Sequence, residues 1–180
     1  MSDSRVAKRY AKPLLELADE HGKLDVVKKD IEMFVGLCEE SRDLTNMLKS
    51  PIIPHLKKLS ILEALFKGRV DDLTFSIFEI LVKKNREAIL HQVGISFLEL
   101  YNKLKGIVKA TVTTAVALDA AAVEQFKKLV REISKQDVLL EQDVNPAVIG
   151  GFKLKIADKQ IDETVQSKLK DLKLKFTTNA

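Results

Sequence analysis

Three histidines, one cysteine and neighbouring carboxylates such as Glu39-Glu40 and Asp71-Asp72 are the residues of this chain to weigh first for catalysis or metal binding. A metal centre needs several such ligands converging on one point. His21, His55 and His91 are scattered, and none has a second His, Cys or carboxylate at ligand spacing. Glu39-Glu40 and Asp71-Asp72 are adjacent in sequence. Adjacent residues of a helix point about 100° apart, so neither pair makes a shared acid–base dyad. Cys38 lies in the apolar run "MFVGLC" and reads as core rather than nucleophile; no serine stands in a G-x-S-x-G elbow. Gly150-Gly151 is neither a dinucleotide fingerprint nor a Walker loop. No Lys-Ser or Lys-Thr follows it, and a strand pattern comes next, so no helix N-terminus is offered to a phosphate. The pair reads as a tight entry or bulge, where the backbone needs positive φ or close approach. These residues predict no catalytic set, no metal and no cofactor.

Surface is what remains. The 180 residues carry 46% hydrophobic and 31% charged side chains, with a formal net charge of +4 and a pI of about 9.0. Thirty basic residues are interspersed among 26 acidic ones, unlike the single basic face of a dedicated nucleic-acid binder. The excess is heaviest near the C-terminus, at Lys153, Lys155, Lys159, Lys168, Lys170, Lys173 and Lys175. One cysteine allows no internal disulfide, which favours a reducing compartment. No apolar run reaches the roughly 18–20 residues of a spanning helix, and "MSDSRVAKRY" has no signal-peptide core. A basic α/β adaptor for RNA stays open as an alternative, although the lysine-rich tail offers few aromatics for base stacking beyond Phe152 and Phe176.

The elements that must position this surface fall into two halves. Val6, Tyr10, Leu14, Leu17 and Ala18 recur at helical spacing, with Gly22 as the stop. Leu24, Val27, Ile31, Val35 and Cys38 predict a second helix, Leu44 to Lys49 a short third. Pro51 and Pro54 interrupt the chain, and Pro54 opens a fourth helix marked by Leu56, Leu59, Leu62, Leu65 and Phe66. The fifth, 72–84, is apolar on most sides and so central. The sixth runs from about Arg86 to Lys105. Six short helices predict a compact bundle over 1–105. From Gly106 the style changes. "IVKATVTTAVAL" alternates as a strand, Asp119 caps a helix, "VLLEQDV" and Phe152–Ile156 are further strands, and "DK" at 158–159 turns the chain into a brief "QID". A last helix starts at Asp162, with Val165, Leu169, Leu172 and Phe176 at helical spacing. The expectation is an α+β chain: a six-helix bundle, then a small α/β domain over 106–180. Ala7, Ala11 and Ala18 would let another helix come close to the first one.

Several of these stretches resemble one family. "RYAKPLLELADEHGKLDVV" (9–27), "LKSPIIPHLKKLSILEALF" (48–66), "LVKKNRE" (81–87), "ATVTTAVALD" (110–119) and "VNPAVIGGFKLKIADKQIDETVQSKLKDL" (144–172) together resemble the delta subunit of F-type ATP synthases. That subunit is the bacterial and chloroplast counterpart of the mitochondrial oligomycin-sensitivity-conferring protein. Asn145 stands where the family pattern has Asp, and Glu163-Thr164 where it has Gly-Ser; Asp162 can still cap the last helix. The resemblance implies a non-catalytic stator subunit, one copy per complex, joining the catalytic head to the peripheral stalk so that the head resists rotor torque. It implies that the helical domain receives the N-terminal helix of an alpha subunit between its first and fifth helices. The groove residues would be Tyr10, Ala11, Leu14 and Ala18, with Ile80, Leu81, Asn85 and Arg86. The C-terminal domain would meet the C-terminal region of the b subunit, with Gly150, Gly151 and Asp162 shaping its turns. The expected place is the cytoplasmic face of a bacterial inner membrane, peripheral and held there by the complex.

Overall fold

The computed structural model describes residues 3–156 and 159–178, with side chains at 5–156, 159–170 and 173. Asp158 and the side chains of Leu172, Lys175 and Phe176, used in the reading above, lie outside these. The chain is α+β and divides into two compact units, Met1–Tyr101 and Asn102–Ala180.

The first unit holds α1 (Asp3–Glu20), α2 (Leu24–Glu40), α3 (Arg42–Lys49), α4 (His55–Phe66), α5 (Asp72–Lys83) and most of α6 (Leu90–Lys105), which a 3-10 turn at Glu87–Ile89 precedes. Its core is built on Phe34, Phe66 and Phe78, whose ring centroids lie 4.8–5.6 Å apart. Helices α2 and α6 approach closely because Gly94 has no Cβ: one placed there would sit 2.7 Å from Val35 Cγ2. Proline at position 13 lies inside α1. It removes one intrahelical N–H, yet the helix continues, because Ala7, Ala11, Leu14, Leu15 and Ala18 bury one continuous face. Helix α4 departs from the expected pattern. Leu62 and Phe66 are buried, but Leu56 and Leu65 are exposed, and Lys58 is interior instead.

The second unit is a four-stranded sheet in the order β2-β1-β3-β4 with two helices. β1 (Ile107–Thr114) runs parallel to β2 (Asp137–Val144) through the crossover helix α7 (Ala120–Ser134); β3 (Phe152–Ile156) and β4 (Lys159–Asp162) add antiparallel. Period-two alternation puts Ala110, Val112, Leu154 and Ile156 on one face with Val130 of α7. Phe126 and Phe152 meet edge to face at its margin, 4.9 Å apart. Asp119 caps α7 by accepting from Ala122 N–H. The last helix, α8 (Val165–Thr178), starts three residues later than the sequence pattern predicts.

Candidate functional site

Helices α1 and α5 pack against each other and are tied at both ends. Each ends in the same backbone motif. At the end of α1, Lys23 N–H returns to Ala18 O (2.9 Å) and Gly22 N–H to Asp19 O (3.0 Å), with Gly22 at φ +66. At the end of α5, Arg86 N–H returns to Leu81 O (2.8 Å) and Asn85 N–H to Val82 O (2.9 Å), with Asn85 at φ +53. Both are Schellman closures, which need a left-handed residue, Gly or Asn, just past the helix. In each, the residue after that turn is the cation that reaches the other helix. Lys23 Nζ donates to Asp71 Oδ2 at 2.8 Å, and Arg86 Nη1 to Tyr10 OH at 3.4 Å. The start of α1 therefore lies beside the end of α5, and the two helices run antiparallel.

The N-terminus of α5 is fixed a second time. Asp30 of α2 accepts from Asp71 N–H (2.7 Å) and Thr74 Oγ1–H (3.0 Å), while the Asp71 side chain accepts from Leu73 N–H (3.0 Å). The hydrogen bond from Lys23 and then the one from Leu73 N–H hold the Asp71 carboxyl below the usual carboxylate range; Asp71 in turn raises Lys23. At the other end, Glu87 turns inward where Arg86 turns outward. Its Oε1 accepts from Lys58 Nζ at 2.7 Å, with the two side chains 11% and 3% exposed, and Lys58 also donates to Leu48 O. The turn at 85–87 thus presents one charge to the rim of the groove and buries the other.

The residues expected to line this groove separate into two sets. Ala11, Ala18 and Leu81 are wholly buried and Leu14 nearly so; they set how closely the helices approach. Tyr10 is half-buried, Asn85 and Arg86 are exposed, and Ile80 is 44% exposed. Sequence reasoning left out of the site Leu17, 45% exposed, and the partly buried Val6 and Leu73. Their signal is spacing: Val6, Tyr10 and Leu17 fall on one stripe of α1, and Leu73 and Ile80 on one stripe of α5. The groove is therefore an apolar seam with two cross-ties and no reactive group. An open hollow of about 260 Å3 lies on another side of α5, lined by Lys67, Gly68, Val70, Asp72, Phe75, Ser76 and Glu79. Among the described residues no group of His, Cys, Asp or Glu could hold a metal ion, and burial pushes the Cys38 thiol up to about 11, away from nucleophilic use.

The glycine pair of the second unit has a backbone task. Gly151 sits at φ +80, and a Cβ there would run into the Glu163 carbonyl oxygen. Glu163 N–H bonds Phe152 O (2.9 Å) and Val165 N–H bonds Gly150 O (3.1 Å), so the chain entering α8 lies on this loop. Thr164 caps α8, its Oγ1 accepting from Ser167 N–H at 3.2 Å; Asp162 stands one step behind, accepting from Thr164 N–H and Oγ1–H. Just before the glycines, Gly150 N–H closes on Val148 O at 2.7 Å around Ile149, whose φ is +66 and ψ −48. That is a γ-turn of the strained hand, and its β-branched centre is 75% exposed. Asn145 supports it by accepting from Ala147 N–H at 3.0 Å. Val116, Val144, Val165 and Leu169 are exposed as well. Strand register and the Val165–Gly150 bond gather this set at the end of the sheet where β1 finishes.

Comparison with known proteins is consistent over almost the whole length. The family model described as ATP synthase delta (OSCP) subunit matches residues 6–176. ATP synthase subunit delta of Cytophaga hutchinsonii is 38% identical over 177 residues, covering 98% of this chain and 97% of that one. The same subunit of Amoebophilus asiaticus is 37% identical, with 98% and 96% coverage. A chain of the Toxoplasma gondii mitochondrial ATP synthase hexamer, seen by electron cryo-microscopy, shares the fold at a TM-score of 0.77. It is 21% identical, over 95% of this chain and 97% of that one.

Proposed function

This chain belongs to the ATP synthase delta (OSCP) subunit family, and from that premise we propose how its two units divide the work. The protein is a non-catalytic subunit of ATP synthase and a component of its peripheral stalk; the RNA-adaptor reading is left without support. No described helix is long and apolar enough to cross a membrane, and the association with the membrane runs through the complex.

In this reading, residues 1–105 act as a six-helix bundle that receives the N-terminal helix of an alpha subunit along the α1/α5 seam. Residues 106–180 meet the C-terminal region of the b subunit with the apolar end of the sheet, at Ile149, Val165 and Leu169. The complex holds the protein on the cytoplasmic face of a bacterial inner membrane, where it steadies the head against the turning rotor. The observation that carries the reading is the seam itself: half-exposed Leu17 and Ile80 on two helices held rigid at both ends. Covering such residues contributes roughly 1 kcal/mol each. A preformed receptor also keeps the ordering cost of association low.

The test is co-purification of the full chain, and of a chain ending at residue 105, with alpha, beta and b subunits. The shortened chain is expected to keep alpha and beta and to lose b. Retention of b by a shortened chain that circular dichroism shows to be folded would overturn the division of labour. Leu17→Asp should weaken binding of an alpha N-terminal peptide at least ten-fold.

A further inference from the structure

The loop "KSPIIPHLK" (49–57) joins α3 to α4, and its base is held shut. Buried Lys58, in the first turn of α4, donates to Leu48 O at the end of α3 (3.0 Å) and to Glu87 Oε1 (2.7 Å). One cation thus draws the two ends of the loop together and ties them to the turn at 85–87. Ser50 N–H closes α3 on Asn46 O (2.8 Å), and Ser50 Oγ accepts from Ile52 N–H (3.3 Å). Pro51 and Pro54 each fix a further backbone angle. On this rigid base Ile52 is 88% exposed and Leu56 69%, more than any other large apolar side chain described in the helical unit. The charge along the loop has one sign. No carboxylate occurs between Asp43 and Glu63. Lys49 and Lys57 are exposed and enter no ion pair among the described residues.

A single exposed isoleucine is ordinary. Two large apolar side chains on one stiffened loop are not needed by the fold, since neither fills the core, and a preformed projection loses little freedom on association. We propose that this loop is a docking element of the helical unit, separate from the α1/α5 seam. Ile52 and Leu56 enter an apolar hollow on a neighbouring subunit of the complex, and Lys49 and Lys57 meet carboxylates at the rim of that hollow. Charge complementarity identifies the occupant: two lysines with no acid of their own beside them attract an acidic surface and turn away a basic one. The inference rests on membership of the ATP synthase complex and not on the seam. It also has a mechanical consequence. A unit held by one helix can swing about that helix, whereas a second contact resists the turn. The turn at 85–87 couples the two contacts, with Arg86 facing the seam and Glu87 holding the base of the loop.

ATP synthase stripped of this subunit is the probe, titrated with the fluorescently labelled full chain. The I52S/L56S variant should bind more weakly by about ten-fold for each side chain. Its urea midpoint should match that of the natural chain, because both side chains are exposed. The K49E/K57E variant should bind about ten-fold more weakly at physiological ionic strength, and that deficit should fade at about 1 M salt. A photoreactive benzophenone side chain placed at position 52 of the full chain should form an adduct with one subunit of the reassembled complex, at a segment rich in Asp and Glu. Full affinity of I52S/L56S, in the titration where Leu17→Asp is weakened, would overturn the docking loop and leave the seam standing. Weakening of I52S/L56S with full affinity of Leu17→Asp would support the loop and remove the seam. Adducts with lipid, with a second copy of this chain or with a segment lacking carboxylates would overturn the stated occupant.

Discussion

The two units are closed by different means. In the helical unit the interior is filled by large side chains, with Phe34, Phe66, Phe78 and Phe97 all within 1% of full burial. In the sheet unit five buried side chains, two of them alanine and valine on β1, make the described core. Its shape is set by backbone devices instead: the left-handed Gly151, the γ-turn at Ile149 and the Thr164 cap. A well-filled core yields a rigid face, so the α1/α5 seam needs no partner to exist. A thin core leaves apolar side chains at the surface, and here they are gathered at one end of the sheet. The difference is the one expected of a preformed receptor beside an element that gains stability when it is covered.

Removing one partner of the buried ion pair should break the comparison most forcefully. Lys58→Ala leaves Glu87 charged and nearly buried without its cation, which costs about 3–5 kcal/mol. The loss should appear as a lower urea midpoint for the helical signal, with the sheet unit unaffected. The double change Lys58→Met with Glu87→Leu should recover most of it, because a well-packed apolar pair of similar volume is close to neutral. If the single substitution costs under 1 kcal/mol, the interior of the helical unit is not closed in the way described. The turn at 85–87 hangs on this pair, so the single variant should also weaken a partner helix at the seam.

Within the sheet unit two single changes should move stability in opposite directions. Gly151→Ala forces a side chain onto the Glu163 backbone at a φ that disfavours it, at a cost of about 2–3 kcal/mol. Ile149→Gly releases the strained turn and should stabilise by about 1 kcal/mol. The same change deletes the most exposed apolar side chain of the sheet's end, so affinity for the b subunit should fall. Greater stability with weaker binding is a signature that a purely structural residue does not give. Destabilisation by Ile149→Gly, measured by urea titration of the full chain, would show that the turn carries no strain.

What could be read in the residues follows the same division. Helices announced themselves through apolar periodicity and stop signals, and strands through alternation, because one buried face imposes both. The groove residues were named from resemblance, and half of them are interior. Exposure depends on what a neighbouring helix covers, which α1 alone does not encode. Lys58 was hidden because a lysine among leucines reads as a solvated face; its partner Glu87 lies 29 residues on, and only packing brings them together. Pro13 within α1 went against a rule that burial of the opposite face overrides. Ile149 was invisible for another reason: β-branched residues do not favour positive φ, so no local preference signals its turn. Asn85 is the instructive middle case. Its tolerance of the left-handed region is a sequence property, and its use to aim Arg86 at Tyr10 is a tertiary one.

The smallest effect sharpens the account of how the seam is tied. The Asp71 carboxyl is held below its ordinary value of 3.8 chiefly by Lys23. A carboxyl whose folded pKa is depressed contributes its full stabilisation above the unfolded value and loses it as pH falls through the folded one. Lys23 is raised above 10.5 by the same partner, so its contribution is complete below that value and is lost as pH rises through the raised one. The tie therefore acts between about pH 4 and pH 10.5 and is flat between pH 5 and 9. Asp71→Asn keeps a good cap for α5, since asparagine caps as well as aspartate, and removes the charge. Wild type should exceed this variant slightly and by a constant margin across that plateau, and the two should converge as pH falls through the lowered Asp71 value. Lys23 is half-exposed, so salt should shrink the margin. A margin that does not shrink at all as pH falls below 3.8 would show that the contact at this end of the seam is not ionic. The groove would then be closed there by Asp30, which accepts from Asp71 N–H and Thr74 whatever the charge at position 71.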